Sequence, residues 1–194
     1  CSYKNIGIGF NSGKQITTGT DNTFIGNGTG VNITTGKFNQ IIGSALSGVA
    51  GAAGEALTTG CCNVALGNGA LKLTTTSNSN TAVGTIAMAA NTTGTRNTAV
   101  GFCSLAANTT GDDNTAFGTE SLRANTTGAN NVAVGKNALV ANTTGHQNTA
   151  VGNQAFKTAT TAEHSTSIGY KALELTTTAD CNTAVGFQAL CTTT

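Results

Sequence analysis

The stretch "NTAVGFCSLAANTTGDDNTAFG" covers residues 97–118. Its opening, Asn97-Thr98-Ala99-Val100-Gly101, returns as Asn114-Thr115-Ala116-Phe117-Gly118, a shift of 114 − 97 = 17 positions. Traced outward, the phrase begins at Asn5, Asn22, Asn39, Asn63, Asn80, Asn97, Asn114, Asn131, Asn148, Ser165 and Asn182. Every step is 17 except Asn39 to Asn63, which is 24, so one repeat holds a seven-residue insertion within 44–60. Eleven repeats of 17 plus 7 give 194, the whole sequence, and self-similarity at a fixed period predicts one repetitive domain over residues 1–194 without a linker.

Each repeat has 17 slots, the starting Asn being slot 1. Slot 5 is glycine in all eleven repeats, and slots 13 and 14 read Thr-Thr in all ten complete ones. Slot 4 is always large and apolar: Ile8, Ile25, Ile42, Leu66, Val83, Val100, Phe117, Val134, Val151, Ile168 and Val185. Slot 9 is Leu, Met or Phe from Leu71 onward but glycine at Gly13 and Gly30.

Composition narrows the class. The chain has 38 Thr and 26 Gly, no Pro and no Trp, and only 9% of its residues are charged. Ordinary globular domains carry about 25% charge. Such a bias also suits disorder, yet a large apolar residue at one fixed slot is what a buried ladder requires. A net charge of +1 offers no basic face for nucleic acid. The least polar stretch, residues 44–57, is interrupted by Gly, Ser and Glu55 and is too short to span a bilayer. No membrane span and no nucleic-acid partner are expected.

Glycine at slots 5 and 15 and Thr at 13 and 14 disfavour helix. Slots 2–4 ("TAV", "VAV") read as a short strand ended by the slot 5 glycine. Slots 8–11 ("ALxA") read as a second strand, with slots 9 and 11 inward and slot 10 outward. "NTTG" then turns the corner, because Asn and Gly tolerate positive φ. Each repeat becomes one coil of an all-β parallel solenoid of about eleven coils, without a capping domain. Stacked at about 4.8 Å per strand, eleven coils make a rod roughly 50 Å long. On this reading slots 4 and 9 form the inner ladders, and Gly13 and Gly30 thin the first two coils. Arg96 stacks on Asp113 at an exposed corner, for little energy.

If slot 4 faces inward, slot 3 faces away. Yet slot 3 holds Phe24, Ile41, Ala82, Ala99, Ala116, Ala133 and Ala150. A strand apolar on both faces is usually buried on both. Either small residues are tolerated there in water, or this face packs against another copy; the second reading is preferred.

The motif "NTAVGxxALxANTTGxx", covering essentially the whole chain, resembles the glycine-punctuated repeats in shafts of phage and giant-virus tail fibres and of related bacterial surface fibres. It is similar, more loosely, to the head repeats of trimeric autotransporter adhesins. The resemblance implies an extracellular, cell-surface or virion rod, self-associating as a homo-oligomer, a trimer in the adhesin heads. It transfers no receptor-binding residues.

Other features complete the expectations. The only histidines, His146 and His164, fall at the variable corner, where His146 stacks under Glu163. No catalytic, cofactor or metal constellation is legible, and a non-enzyme is expected. Asn91, Asn108, Asn125 and Asn142 are sequons at slot 12, readable as repeat grammar or as a row of glycans. Of six cysteines, Cys1, Cys61, Cys62, Cys181 and Cys191 are disulfide candidates, with Cys181 near Cys191, and Cys103 suits a buried thiol. Residues 1–4 fill the last four slots of a repeat and Thr194 fills slot 13, so the ends are in phase. Two expectations follow: a segment of a longer fibre whose neighbours cap it, or a subunit that stacks head to tail with Cys191 meeting Cys1. The insertion reads equally as a surface bulge or as a lateral contact. The function expected is a structural fibre or filament subunit. The alternative is an adhesin-like rod contacting a surface glycan, with ice binding a minor third option.

Overall fold

The computed structural model describes residues 4–45 and 51–192. It contains eleven three-residue strands, from β1 (Ile6–Ile8) to β11 (Thr183–Val185), one per repeat at slots 2–4. They form one parallel sheet in sequential order. Each strand pairs in register with its neighbours, as Thr98↔Thr115, Ala99↔Ala116 and Val100↔Phe117. The chain is a β-solenoid whose coils, numbered 1 to 11 from the slot 1 residues above, stack along one axis.

The strand presents the face opposite to the one expected. Slot 3 is the core: Phe24 is 1% exposed, and Ile41, Ala82, Ala99, Ala116, Ala133 and Ala150 are fully buried. These are the residues expected at a subunit interface. The row expected inside (Ile8, Ile25, Ile42, Leu66, Val83, Val100, Phe117, Val134, Val151, Ile168, Val185) is outside, and none of its members is buried. The cause is slot 1. Alternate strand residues share a face, and the slot 1 asparagines from Asn22 to Asn148 are all buried. Asn114 shows why. Its backbone N–H and its Nδ2 both donate to Asn97 Oδ1, at 2.9 and 3.1 Å, and Nδ2 also donates to Gly128 O at 2.8 Å. The amide thus links two coils and closes its own coil. Slot 3 follows slot 1 inward, and slots 2 and 4 are left for the outer face.

The second expected strand does not form. Slots 6–11 are turns, and in the regular coils slots 7 and 9 lie in the left-handed region even where they are not glycine, as Cys103 (φ 55°) and Leu105 (φ 49°). A left-handed residue costs about 1–2 kcal/mol. Alternating handedness, however, points successive N–H groups up and down the axis. Cys103 N–H donates to Thr85 O of the coil before, and Leu105 N–H to Ser121 O of the coil after, at 3.2 and 3.0 Å. The backbone away from the sheet is therefore also hydrogen-bonded coil to coil, as a buried backbone must be. Slots 8 and 9 both point inward, with Ala87, Met88, Ala138 and Leu139 fully buried.

The slot 5 glycine is dictated twice. Gly101 has φ +135°, and a Cβ there would lie 2.6 Å from Gly118 O of the next coil.

Coils 1 and 2 are not thinned by Gly13 and Gly30. A Cβ on Gly13 would lie 2.7 Å from the Phe24 ring, and one on Gly30 would lie 2.5 Å from it. The Phe24 ring occupies the volume that slot 9 leucines fill elsewhere. Ile41 does the same in coil 3, its Cδ1 2.7 Å from a Cβ on Gly54. The part of the insertion at residues 46–50 lies outside the described residues.

Candidate functional surfaces

The solenoid exposes three kinds of surface. The first is the outer face of the sheet. Its 22 side chains at slots 2 and 4 are Thr, Val or Ile in 19 cases, the others being Gln40, Leu66 and Phe117. None is charged, and the whole span of slots 1–5 is free of charge in every coil. β-Branched side chains are restricted at χ1, so this face is stiff, and it is uncharged, with 14 apolar side chains beside seven Thr and Gln40. Several members stand well out of it, among them Phe117 at 56% and Val185 at 66%. Slot 6 borders the face with Phe10, Phe102, Tyr170 and Phe187, which are 75%, 50%, 43% and 73% exposed. Tyr170 and Phe187 stack at 5.3 Å between ring centroids.

The second surface is the row of slot 14 threonines, exposed in all ten complete coils from Thr18 to Thr178. Its neighbour at slot 13 has a structural duty, since its hydroxyl donates to the slot 13 carbonyl of the next coil, as Thr109 Oγ1 to Thr126 O at 3.0 Å. Among the described residues slot 14 makes no comparable bond, although its residue type is equally invariant along the chain.

The third is the polar corner at slots 16 and 17. Slot 16 side chains accept from the slot 16 N–H of the coil before: Asp112 Oδ1 from Thr95, His146 Nδ1 from Ala129 and Asp180 Oδ1 from Glu163. His146 is therefore a backbone cap rather than a partner of Glu163. Glu163 instead approaches His164 at 3.8 Å. Arg96 grips Asp113 through Nε and Nη2, both at 2.7 Å, as the stacking predicts. That bidentate bond holds the Asp113 carboxyl below its ordinary range and raises the guanidinium. On the far side Lys171 donates to Glu174 at 3.2 Å, which raises the ammonium.

Two groups of sequence candidates change meaning. Asn91, Asn108, Asn125 and Asn142 are fully buried and form a second amide ladder. Asn108 Nδ2 donates to Asn91 Oδ1 at 2.9 Å and to Gly111 O at 3.0 Å. No glycan can be carried on these nitrogens in the folded rod. The ladder stops at Asn142, whose Oδ1 is buried without a partner because coil 9 has Ala159 at that slot. Among the described residues, Cys61, Cys62, Cys103, Cys181 and Cys191 are all free thiols, so the Cys181–Cys191 pair is not made. Cys1 lies outside the described residues. Cys103 is half-buried, and desolvation, followed by the nearby Glu120, pushes its thiol up.

Among the described residues no group of three or more His, Cys, Asp or Glu is placed to hold a metal ion, and no helix is long and apolar enough to cross a membrane. No family model matches the chain, and neither a curated protein nor a solved structure shows significant similarity to it.

Proposed function

We propose that this chain is a structural subunit of an extracellular or virion fibre, a non-enzymatic rod that associates laterally with further copies of itself. One observation carries the reading. Coil-to-coil ladders occupy the buried polar side chains other than Asn137 Oδ1 and Asn142 Oδ1, while a continuous uncharged sheet face is left on the outside. The asparagines, the slot 13 hydroxyls and the alternating backbone all stiffen the axis. Fourteen of the 22 outer side chains are apolar, and monomeric soluble proteins rarely expose contiguous apolar patches above a few hundred Å2. The resemblance to fibre shafts supports the same role and the same location.

Negative-stain electron microscopy of the purified chain, with a sedimentation profile, tests it. Bundled or fibrous assemblies of rods roughly 50 Å in unit length are expected. Single rods at every concentration overturn the reading.

The slot 14 threonines favour a second reading, a rod that contacts a surface glycan. Ten exposed, uncharged hydroxyls stand in one line beside a slot 13 row that the fold does use. Binding on a glycan array that is lost when this row is changed to Ala supports it; thermal-hysteresis measurement separates the ice-binding variant.

A further inference from the structure

We infer that the outer sheet face pairs with the same face of a second copy running antiparallel, about a two-fold axis through coil 6. The inference rests on the self-association reading and specifies its partner, face and direction.

The area suffices. Eleven strands at about 4.8 Å give a length of roughly 50 Å, and the strand with its bordering slots is about 15 Å wide. The product, roughly 750 Å2, is close to the ~800 Å2 per partner of a standard stable interface. The composition also fits a self-complementary contact, with no charge at slots 2 and 4 in any coil. The sheet positions of a like-to-like interface thus bury no ion, and Lys136 at slot 6 stands at its rim.

The direction follows from slot 6. Two copies face to face can be related by a two-fold axis along the solenoid or along the strands. An axis along the solenoid keeps the coils parallel and sets slot 6 against slot 17. An axis along the strands reverses the coil order and sets slot 6 against slot 6, with coil n opposite coil 12 − n when the axis passes through coil 6. The slot 6 phenylalanines are Phe10, Phe102 and Phe187, in coils 1, 6 and 11, and so are spaced five coils apart on either side of Phe102. The antiparallel arrangement therefore brings Phe102 against its own counterpart and Phe10 against Phe187. Aromatic pairs reward such contacts beyond the area they bury. Slot 17 of each repeat flanks the strand of the following coil, so the same operation sets Asp21, beside Asn22 of coil 2, against His164, beside Ser165 of coil 10. It also gathers two Arg96–Asp113 pairs about the axis, so that the facing guanidiniums are flanked by two carboxylates. In the parallel arrangement Phe102 would need Arg96 as its cover, and Arg96 is already held by Asp113 through two bonds. An isologous pair of this kind is the commonest closed assembly.

Sedimentation equilibrium, circular dichroism and photo-crosslinking test the proposal on the full chain. The wild-type particle is expected at twice the 19.2 kDa chain mass, or at an even multiple where pairs bundle. Val100→Arg, on the exposed face, is expected to halve the mass of the pair with an unchanged β spectrum. Thr98→Arg on the same coil gives the same result by a second route. p-Benzoylphenylalanine at position 102 is expected to crosslink to the segment around 102 of the other copy, and at position 10 to the segment around 187. Crosslinks from 102 to the slot 17 corner mean a parallel pair and overturn the inference. So does an assembly that keeps its mass in both Arg variants, although self-association itself then stands. A wild-type monomer at all concentrations overturns both this inference and the lateral association behind it.

Discussion

Coils 2–3 and coils 4–11 fill the interior of the solenoid with opposite allocations. In coils 2 and 3 the strand supplies the bulk, Phe24 and Ile41, and slot 9 is glycine. From coil 4 on, the strand supplies alanine or Ser167, and slot 9 supplies a Leu, Met or Phe that is buried through coil 10. The two allocations are not equivalent in backbone terms. Slot 9 is left-handed throughout, a conformation free for Gly30 (φ 55°) and strained for Leu105 (φ 49°). The later coils accept that strain and keep the strand small. The contrast teaches that in coils 2–11 bulk at one slot is matched by a small residue at the other, whichever slot supplies it.

The largest effect should come from emptying the two cores in turn. Phe24 fills space over both Gly13 and Gly30. Phe24→Ala is expected to cost about 4 kcal/mol, at the upper end for large-to-small core changes, and Leu105→Ala about 3 kcal/mol. Stacked repeats unfold locally. Hydrogen exchange should therefore show the loss of protection confined to coils 1–3 for the first variant and centred on coil 6 for the second. Equal, chain-wide loss of protection would refute the independent-coil picture.

A transplant sharpens the comparison. Ala99→Ile alone overpacks coil 6, an error worth about 1–3 kcal/mol, because Leu105 already occupies the space. Leu105→Gly alone leaves a cavity. Together they reproduce the coil 3 allocation and also relieve the left-handed leucine. The double variant should be less destabilised than the sum of the singles by about 1–3 kcal/mol. Denaturant unfolding of the four proteins measures the coupling, and additivity would mean that the two slots do not share volume.

This compensation also marks how far the sequence could be read. Period, coil count, strand position and parallel register followed from the 17-residue phrase alone. A uniform repeat leaves no other way to stack every slot 5 glycine on the next, as Gly101 on Gly118, with Val100 on Phe117 beside it. The facing of the strand did not follow. Hydrophobicity favoured slot 4 as the inner row, since Val outweighs Ala, and that preference was overridden by a polar residue. Asn at slot 1 is buried because each amide finds partners on two coils, a satisfaction that no hydropathy pattern displays. The signal that could have corrected it was the exchange between slots 3 and 9, where Phe24 and Ile41 occur only in the coils with glycine opposite. The left-handed leucines were equally hidden, because non-glycine residues at φ near 50° contradict local preference and are held by coil-to-coil hydrogen bonds. The sequons misled for the same reason as slot 1: ladder chemistry uses the same Asn-x-Thr letters as a glycan acceptor.

The smallest effect separates the two regions by charge rather than volume. The slot 17 corner of coils 1 and 2 carries Asp21 and Phe38, whereas between coils 5 and 6 Arg96 holds Asp113. The carboxyl of Asp113 is depressed, chiefly by its hydrogen bond with Arg96. A depressed folded-state value means stabilisation that is present above the unfolded carboxylate value of about 3.9 and lost as pH falls through the folded one. Comparing wild type with Asp113→Asn by unfolding should therefore show a small wild-type advantage at neutral pH that disappears on acidification. Exposed pairs are weak and salt-screened, so the advantage should also shrink at high ionic strength. In Arg96→Gln the Asp113 carboxyl, followed by NMR, should titrate in the ordinary carboxylate range. Coils 1–3 should keep the same hydrogen-exchange protection throughout that titration. A loss of protection there in step with Asp113 would show the charged corner coupled along the rod, and the two regions would then differ in core allocation alone.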